Sequence, residues 1–138
     1  MDYEIHRQPP GIDDYLSVRR RTGLSPKSRE AAAKGLPNSI FSVHVTCGHE
    51  VVGMGRIVGD AGCWLQIVDI AVLPEHQGQG LGRRIMAELV EFITANALPG
   101  VYVSLLTDTP HFFEAFKFKP TAPPYEGMCR WFPPNGSS

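Results

Sequence analysis

Gln77, Gly80 and Gly82 stand in a Q-x-x-G-x-G spacing within "PEHQGQGLGRR", and Gly78 completes a set of three glycines at alternate positions. The stretch lies between a strongly apolar run and a helix-like pattern. A strand leading through such a loop into a helix gathers unpaired backbone N–H groups and the positive end of the helix dipole around one point. That arrangement binds phosphate oxygens, and glycine lets the backbone approach them with no Cβ between. A tight turn without a ligand would need only one glycine. Two other phosphate motifs do not fit. A dinucleotide fingerprint beginning at Gly78 requires glycine where Arg83 stands, and no G-x-x-x-x-G-K-[ST] string occurs.

Upstream of the loop, Asp69 is the conspicuous polar residue among Ile67, Val68, Ile70 and Val72. Burial disfavours a carboxylate's charge, which suits such a group to take a proton as a general base, directly or through water. The alternative is a carboxylate that accepts hydrogen bonds from backbone N–H groups. Glu75 and His76, at the mouth of the loop, read as solvated. Cys47, Cys63 and Cys129 are odd in number and widely spaced, which argues for small buried hydrophobes and against a disulfide framework. Cys47 with His44 and His49 lacks the second close ligand pair of a structural zinc site, so no metal is expected.

The elements that must position these residues alternate along the chain. "DYEIHR" reads as a short strand, and "IDDYLSVRRRTG" as a helix whose Arg19-Arg20-Arg21 run is expected to face solvent or, as the alternative, a phosphate. Ser25-Pro26 supplies a cap and a first-turn proline for a second helix running to Gly35. "IFSVHVTC" and "VVGMGRIVGD" form a hairpin, and "CWLQIVDIAVL" is a central strand expected to be buried on both faces. Leu81, Ile85, Leu89 and Ile93 recur every fourth residue and define an amphipathic helix after the loop. "VYVSLLT" is a further strand, Thr109-Pro110 opens a short helix, and "GMCRWF" is a last strand, with a possible short one near "FKPT". The pattern is a mixed α/β domain around one sheet, with a frayed tail over residues 133–138.

A chain of 138 residues at 43% hydrophobic makes one domain with a sizeable core. A net charge of −1 without long charge blocks leaves no footprint for nucleic acid or an anionic membrane. No apolar stretch approaches the roughly 20 residues of a membrane span, and the N-terminus carries no signal segment, so a cytoplasmic location is expected. Phe41, Trp64, Phe112, Trp131 and Phe132 read as core before pocket lining.

The Gln77, Gly80, Gly82 pattern, preceded by "VDIAVLPEHQG", resembles the acetyl-CoA pyrophosphate loop of the GNAT (Gcn5-related N-acetyltransferase) family. The element order and "HFFEAFKF", similar to the family's F-Y-E-K-x-G-F segment, extend the resemblance over the chain apart from its tail. It implies a mostly antiparallel central sheet flanked by helices, and transfer of an acetyl group from acetyl-CoA to an amine. The backbone of Ile70, Ala71 and Val72 would bind the pantetheine arm beside a splayed strand and stabilise the oxyanion. The N–H groups of Gln77, Gly78, Gln79, Gly80, Leu81, Gly82 and Arg83 would hold the pyrophosphate. The amine attacks directly, so no cysteine nucleophile is required.

Two positions depart from the family pattern. Phe113 stands where members carry the tyrosine that protonates the departing thiolate, and Lys117 stands where they carry glycine. Tyr125 is the first candidate for a replacement acid, with His111 or water as others. The expected acceptor is a small-molecule amine, and a homodimer is possible. A non-catalytic acyl-CoA-binding or regulatory domain is the alternative, and a protein or peptide N-acetyltransferase a third.

Overall fold

The computed structural model describes residues 2–134. Its chain order is β1 (Tyr3–His6), α1 (Ile12–Thr22), α2 (Arg29–Gly35), β2 (Phe41–Cys47), β3 (Glu50–Gly59), β4 (Trp64–Val72), α3 (Leu81–Asn96), β5 (Tyr102–Leu105) and α4 (Pro110–Glu114). The strands form one five-stranded sheet in sequential order, antiparallel except for the parallel β4–β5 pair. This is the mixed, mostly antiparallel sheet flanked by helices that the sequence implied.

Local chemistry accounts for most boundaries. Asp13 and Asp14 sit in the first turn of α1 and arginines in its last, complementing the helix dipole, and Gly23 ends the helix in the left-handed region. α2 begins later than Ser25-Pro26 suggested. Its cap is Ser28, whose hydroxyl accepts from the N–H of Ala31 at 3.0 Å. Ser25 is engaged elsewhere, its carbonyl and hydroxyl both accepting from Arg19.

The core lies mainly between α3 and the sheet. Leu81, Ile85 and Leu89 are buried as their spacing requires, and Met86 joins them, packing on β2, β3 and β4. α1 covers the opposite face through Tyr15 and Val18. β4 is therefore covered on both sides, although only Leu65, Ile67 and Ala71 are fully buried.

The last strand is absent. Residues 119–134 form no strand, and β5 ends the sheet with its outer edge open. Pro120, Pro123 and Pro124 interrupt the approach, each without a backbone donor, and a turn forms in which Thr121 Oγ1 donates to the Tyr125 carbonyl at 2.7 Å. Neither "FKPT" nor "GMCRWF" pairs with β5. Trp131 and Phe132 are exposed rather than core, as is Trp64, while Phe41 and Phe112 are half-buried. Cys63 and Cys129 are likewise exposed, and only Cys47 is partly covered. Of the tail expected over 133–138, residues 135–138 lie outside the described residues.

Candidate active site

The loop after β4 becomes a cup of free donors. A 3-10 turn (Pro74–His76) follows β4, and the Gln77 N–H is used within it, donating to the Pro74 carbonyl at 3.3 Å. From Gly78 to Arg83 no N–H makes a backbone hydrogen bond among the described residues; the first that does is Arg84, to the Gly80 carbonyl at 3.1 Å. Gly78 and Gly80 have φ of +78° and +79°, and a Cβ at either would meet no protein atom within 4 Å. Both positions thus face open space. The Gln77 side chain ties the loop back to the strand, its Nε2 donating to the Val72 carbonyl at 3.0 Å.

Beside this cup the sheet opens. The parallel β4–β5 ladder runs from Trp64↔Tyr102 to Ile67↔Leu105 and stops, while β4 continues to Val72. Ile70, Ala71 and Val72 thus present a backbone edge that β5 does not cover. On its other edge β4 has an irregularity: Asp69 and Ile70 fall opposite Gly55 between the pairs Arg56↔Val68 and Met54↔Ala71. Such a bulge leaves an extra residue and bends the strand. Asp69 carries it with φ of +62°, a conformation aspartate tolerates better than most residues.

The Asp69 carboxylate faces α1, not the gap. It accepts from Arg19 Nη1 at 2.5 Å, Arg56 Nε at 2.8 Å and the Tyr15 hydroxyl at 2.8 Å. The Arg19 and Asp69 side chains are only 6% and 8% exposed, so this is a buried ion pair whose lone pairs are mostly engaged. Burial, then the adjacent Asp69 charge, raises the Tyr15 phenol above its ordinary value. Arg19 was expected to face solvent. Its spacing of four from Tyr15 puts both on one helix face, and a buried acid on the facing strand needs such a partner. His76 also departs from expectation, being buried with Nδ1 2.9 Å from the Tyr3 hydroxyl; Glu75 is exposed and pairs with Arg21.

The sequence matches the Acetyltransferase (GNAT) domain family over residues 38–120, more than half of the chain. The chain belongs to the GNAT family. A Staphylococcus aureus protein of unknown function, described as a probable acetyltransferase, is 41% identical over 95% of this chain and 100% of its own, with a TM-score of 0.90. A GNAT family acetyltransferase from Streptococcus pneumoniae has the same fold, with a TM-score of 0.77 and 23% identity over 94% of this chain and 97% of its own. The Arabidopsis thaliana chloroplastic GCN5-related N-acetyltransferase 2 is 27% identical over 61% of this chain. The match spans about a third (32%) of that plant relative's length.

In this GNAT domain Phe113 is buried on α4, its ring 4.9 Å from that of Phe112. Phe112 in turn reaches Gly82, where a Cβ would come within 3.6 Å of its ring, so α4 rests against the start of α3. Phe113 and Tyr125 line one cavity of about 1150 Å³ with Leu105 and Thr107 from the end of β5. Neither the loop nor Ile70, Ala71 and Val72 lines it. The structure thus puts Phe113 and Tyr125 on one cavity, whose lining does not include Asp69. Lys117 adopts φ of +71°, so α4 ends in the left-handed turn that glycine makes in the family pattern. The Phe118 N–H closes that turn onto the Phe113 carbonyl at 3.3 Å.

Proposed function

We propose that the chain transfers an acetyl group from acetyl-CoA to a primary amine of a small molecule, by direct attack of the amine on the thioester. One observation carries the reading: the unpaired N–H groups from Gly78 to Arg83, at the start of α3, adjoin the backbone edge of β4 that β5 leaves open. The residues fit the donor. The N–H groups of Gly78, Gln79, Gly80, Leu81, Gly82 and Arg83 hold the pyrophosphate, with the positive helix end behind them. The free edge of Ile70, Ala71 and Val72 receives the amide-bearing arm, and an N–H there stabilises negative charge on the carbonyl oxygen. The bound donor supplies an activated acyl group, so the protein's tasks are alignment and proton traffic.

Asp69 acts as a positioning residue in this reading. With two guanidiniums and a phenol on its carboxylate, it fixes the bulge that aims the β4 edge. Tyr125, which lines the same cavity as Phe113, is the proposed proton donor to the leaving thiolate. A small acceptor is favoured over a peptide because Asp13, one of the few acids that could attract a basic peptide, is already paired with Arg29.

The test follows free CoA with a panel of amines, alongside calorimetry of CoA binding. Turnover with at least one small amine is expected. Tight CoA binding with no turnover on small amines or peptides would instead favour the non-catalytic acyl-CoA-binding domain.

A further inference from the structure

The buried cluster around Asp69 carries an excess of positive charge, since one carboxylate meets the guanidiniums of both Arg19 and Arg56. Arg19 spends its donors within the protein: Nη1 on Asp69, Nε on the Ser25 carbonyl and Nη2 on the Ser25 hydroxyl. Arg56 does not. Its Nε donates to Asp69 and its Nη1 to the Gly35 carbonyl and the Ser39 hydroxyl, while Nη2 has no partner among the described residues.

Arg56 lines a cavity of about 90 Å³ with Tyr15, Lys27 and the α2 residues Ala31 and Ala32, and no carboxylate lines it. Lys27 makes no ion pair among the described residues. Directly across from Arg56 in the β2–β3 register, Ser42 buries a hydroxyl that also lacks a partner among them. Ser42 does not line the cavity and Lys27 is exposed, but Asp69 balances only one of the two guanidiniums, so the half-buried Arg56 keeps unbalanced charge and a free Nη2 at the recess, which an anion there would answer.

We infer that this cavity binds a carboxylate of the acceptor, so that the acceptor class is a small amine that also carries an acid group. The inference rests on the acetyltransferase reading for the word acceptor; the anion site itself rests on the cavity. The volume matches about three waters at roughly 30 Å³ each, enough for a carboxylate and too little for a peptide segment. The recess is also well placed. Val68, opposite Arg56, lies four residues before Val72 on β4, so the recess and the open edge belong to neighbouring stretches of the same strand.

Paired amines that differ only in a carboxylate or its carboxamide test this by CoA release. The carboxylate member should be preferred about tenfold or more in kcat/KM, the scale of one charge-assisted hydrogen bond. That preference should collapse in Lys27→Glu, with the KM for acetyl-CoA unmoved. Lys34→Glu, an exposed charge reversal on α2 outside the cavity, should keep it. NMR titration with sodium acetate at constant ionic strength reads the same site without turnover. Amide shifts confined to the neighbourhoods of Tyr15 and Arg56 and the segment from Lys27 to Leu36, lost in Lys27→Glu, support the anion site even if every amine is inert, in which case the acetyl-transfer reading fails alone. Equal use of acid and amide, or acetate shifts that survive Lys27→Glu, would overturn the inference.

Discussion

Nε of Arg56 donates to Oδ2 of Asp69 at 2.8 Å, joining β3 to β4 by side chains where their backbones slip out of register. Removing the carboxylate leaves two guanidiniums facing one another in a buried site. Asp69→Ala should therefore cost about 3–5 kcal/mol in chemical denaturation. Asp69→Asn keeps the shape and should cost less. A positioning role lowers kcat in that variant but leaves the shape of its pH profile intact. Disappearance of the acidic limb would instead make Asp69 the general base.

Gly80 begins α3 at φ of +79°. Gly80→Val forces a β-branched residue into the left-handed region, at a cost of about 1–2 kcal/mol, and places its side chain over the free N–H groups. CoA binding should be lost in calorimetry while circular dichroism keeps the native spectrum. Gly82→Ala is the contrast: its methyl would meet only the Phe112 ring, at 3.6 Å, and affinity should stay near the wild-type value.

Phe113 and Tyr125 line the same cavity, and their roles separate in a double-mutant cycle. If Phe113 stands in the place of the family's acid, as the resemblance implies, Phe113→Tyr adds a proton donor there and should raise kcat with little change in the KM for acetyl-CoA, since the proton moves in the transition state. The gain should be modest, because a thiol of pKa about 8.5 already leaves readily. Tyr125→Phe should lower kcat in the wild type and much less in the Phe113→Tyr background. Equal losses in both would assign Tyr125 to the acceptor side.

The Tyr15 phenol, raised above its ordinary 10.0 by burial and then by Asp69, should ionise above that ordinary value in a titration followed at ultraviolet wavelengths. The folded protein then holds a proton that the unfolded chain releases. The associated stability is fully present below the unfolded value of about 10 and declines as pH rises through the raised folded one. Tyr15→Phe should flatten that alkaline decline.

What the sequence made legible was local. The periodicity of Leu81, Ile85 and Leu89 and the stop signal at Gly35 each act within one or two turns of chain, and the structure bears out the helix and the helix end they mark. The misreadings arose where a distant partner decided the outcome. Ser25 has the chemistry of a cap, yet Arg19 takes it. Arg19 sits in a run of three arginines that looks solvated, yet Asp69, fifty residues on, draws it inside. "GMCRWF" has strand propensity, but a strand exists only with a neighbour, and β5 is not paired with it. Lys117 takes the left-handed turn at a local cost of about 1 kcal/mol, and the Phe118 that follows it packs against the core.

The ladder that stops at Ile67↔Leu105 leaves the protein with an unfinished sheet. The peptide groups beyond it are satisfied by solvent, or by a molecule whose amides act as a surrogate strand. If acetyl-CoA takes that place, as proposed, the donor is a structural component as well as a reagent. Its binding should slow hydrogen exchange at the β4 amides after Ile67, and a hundredfold excess over Kd should add about 2.7 kcal/mol to resistance against unfolding.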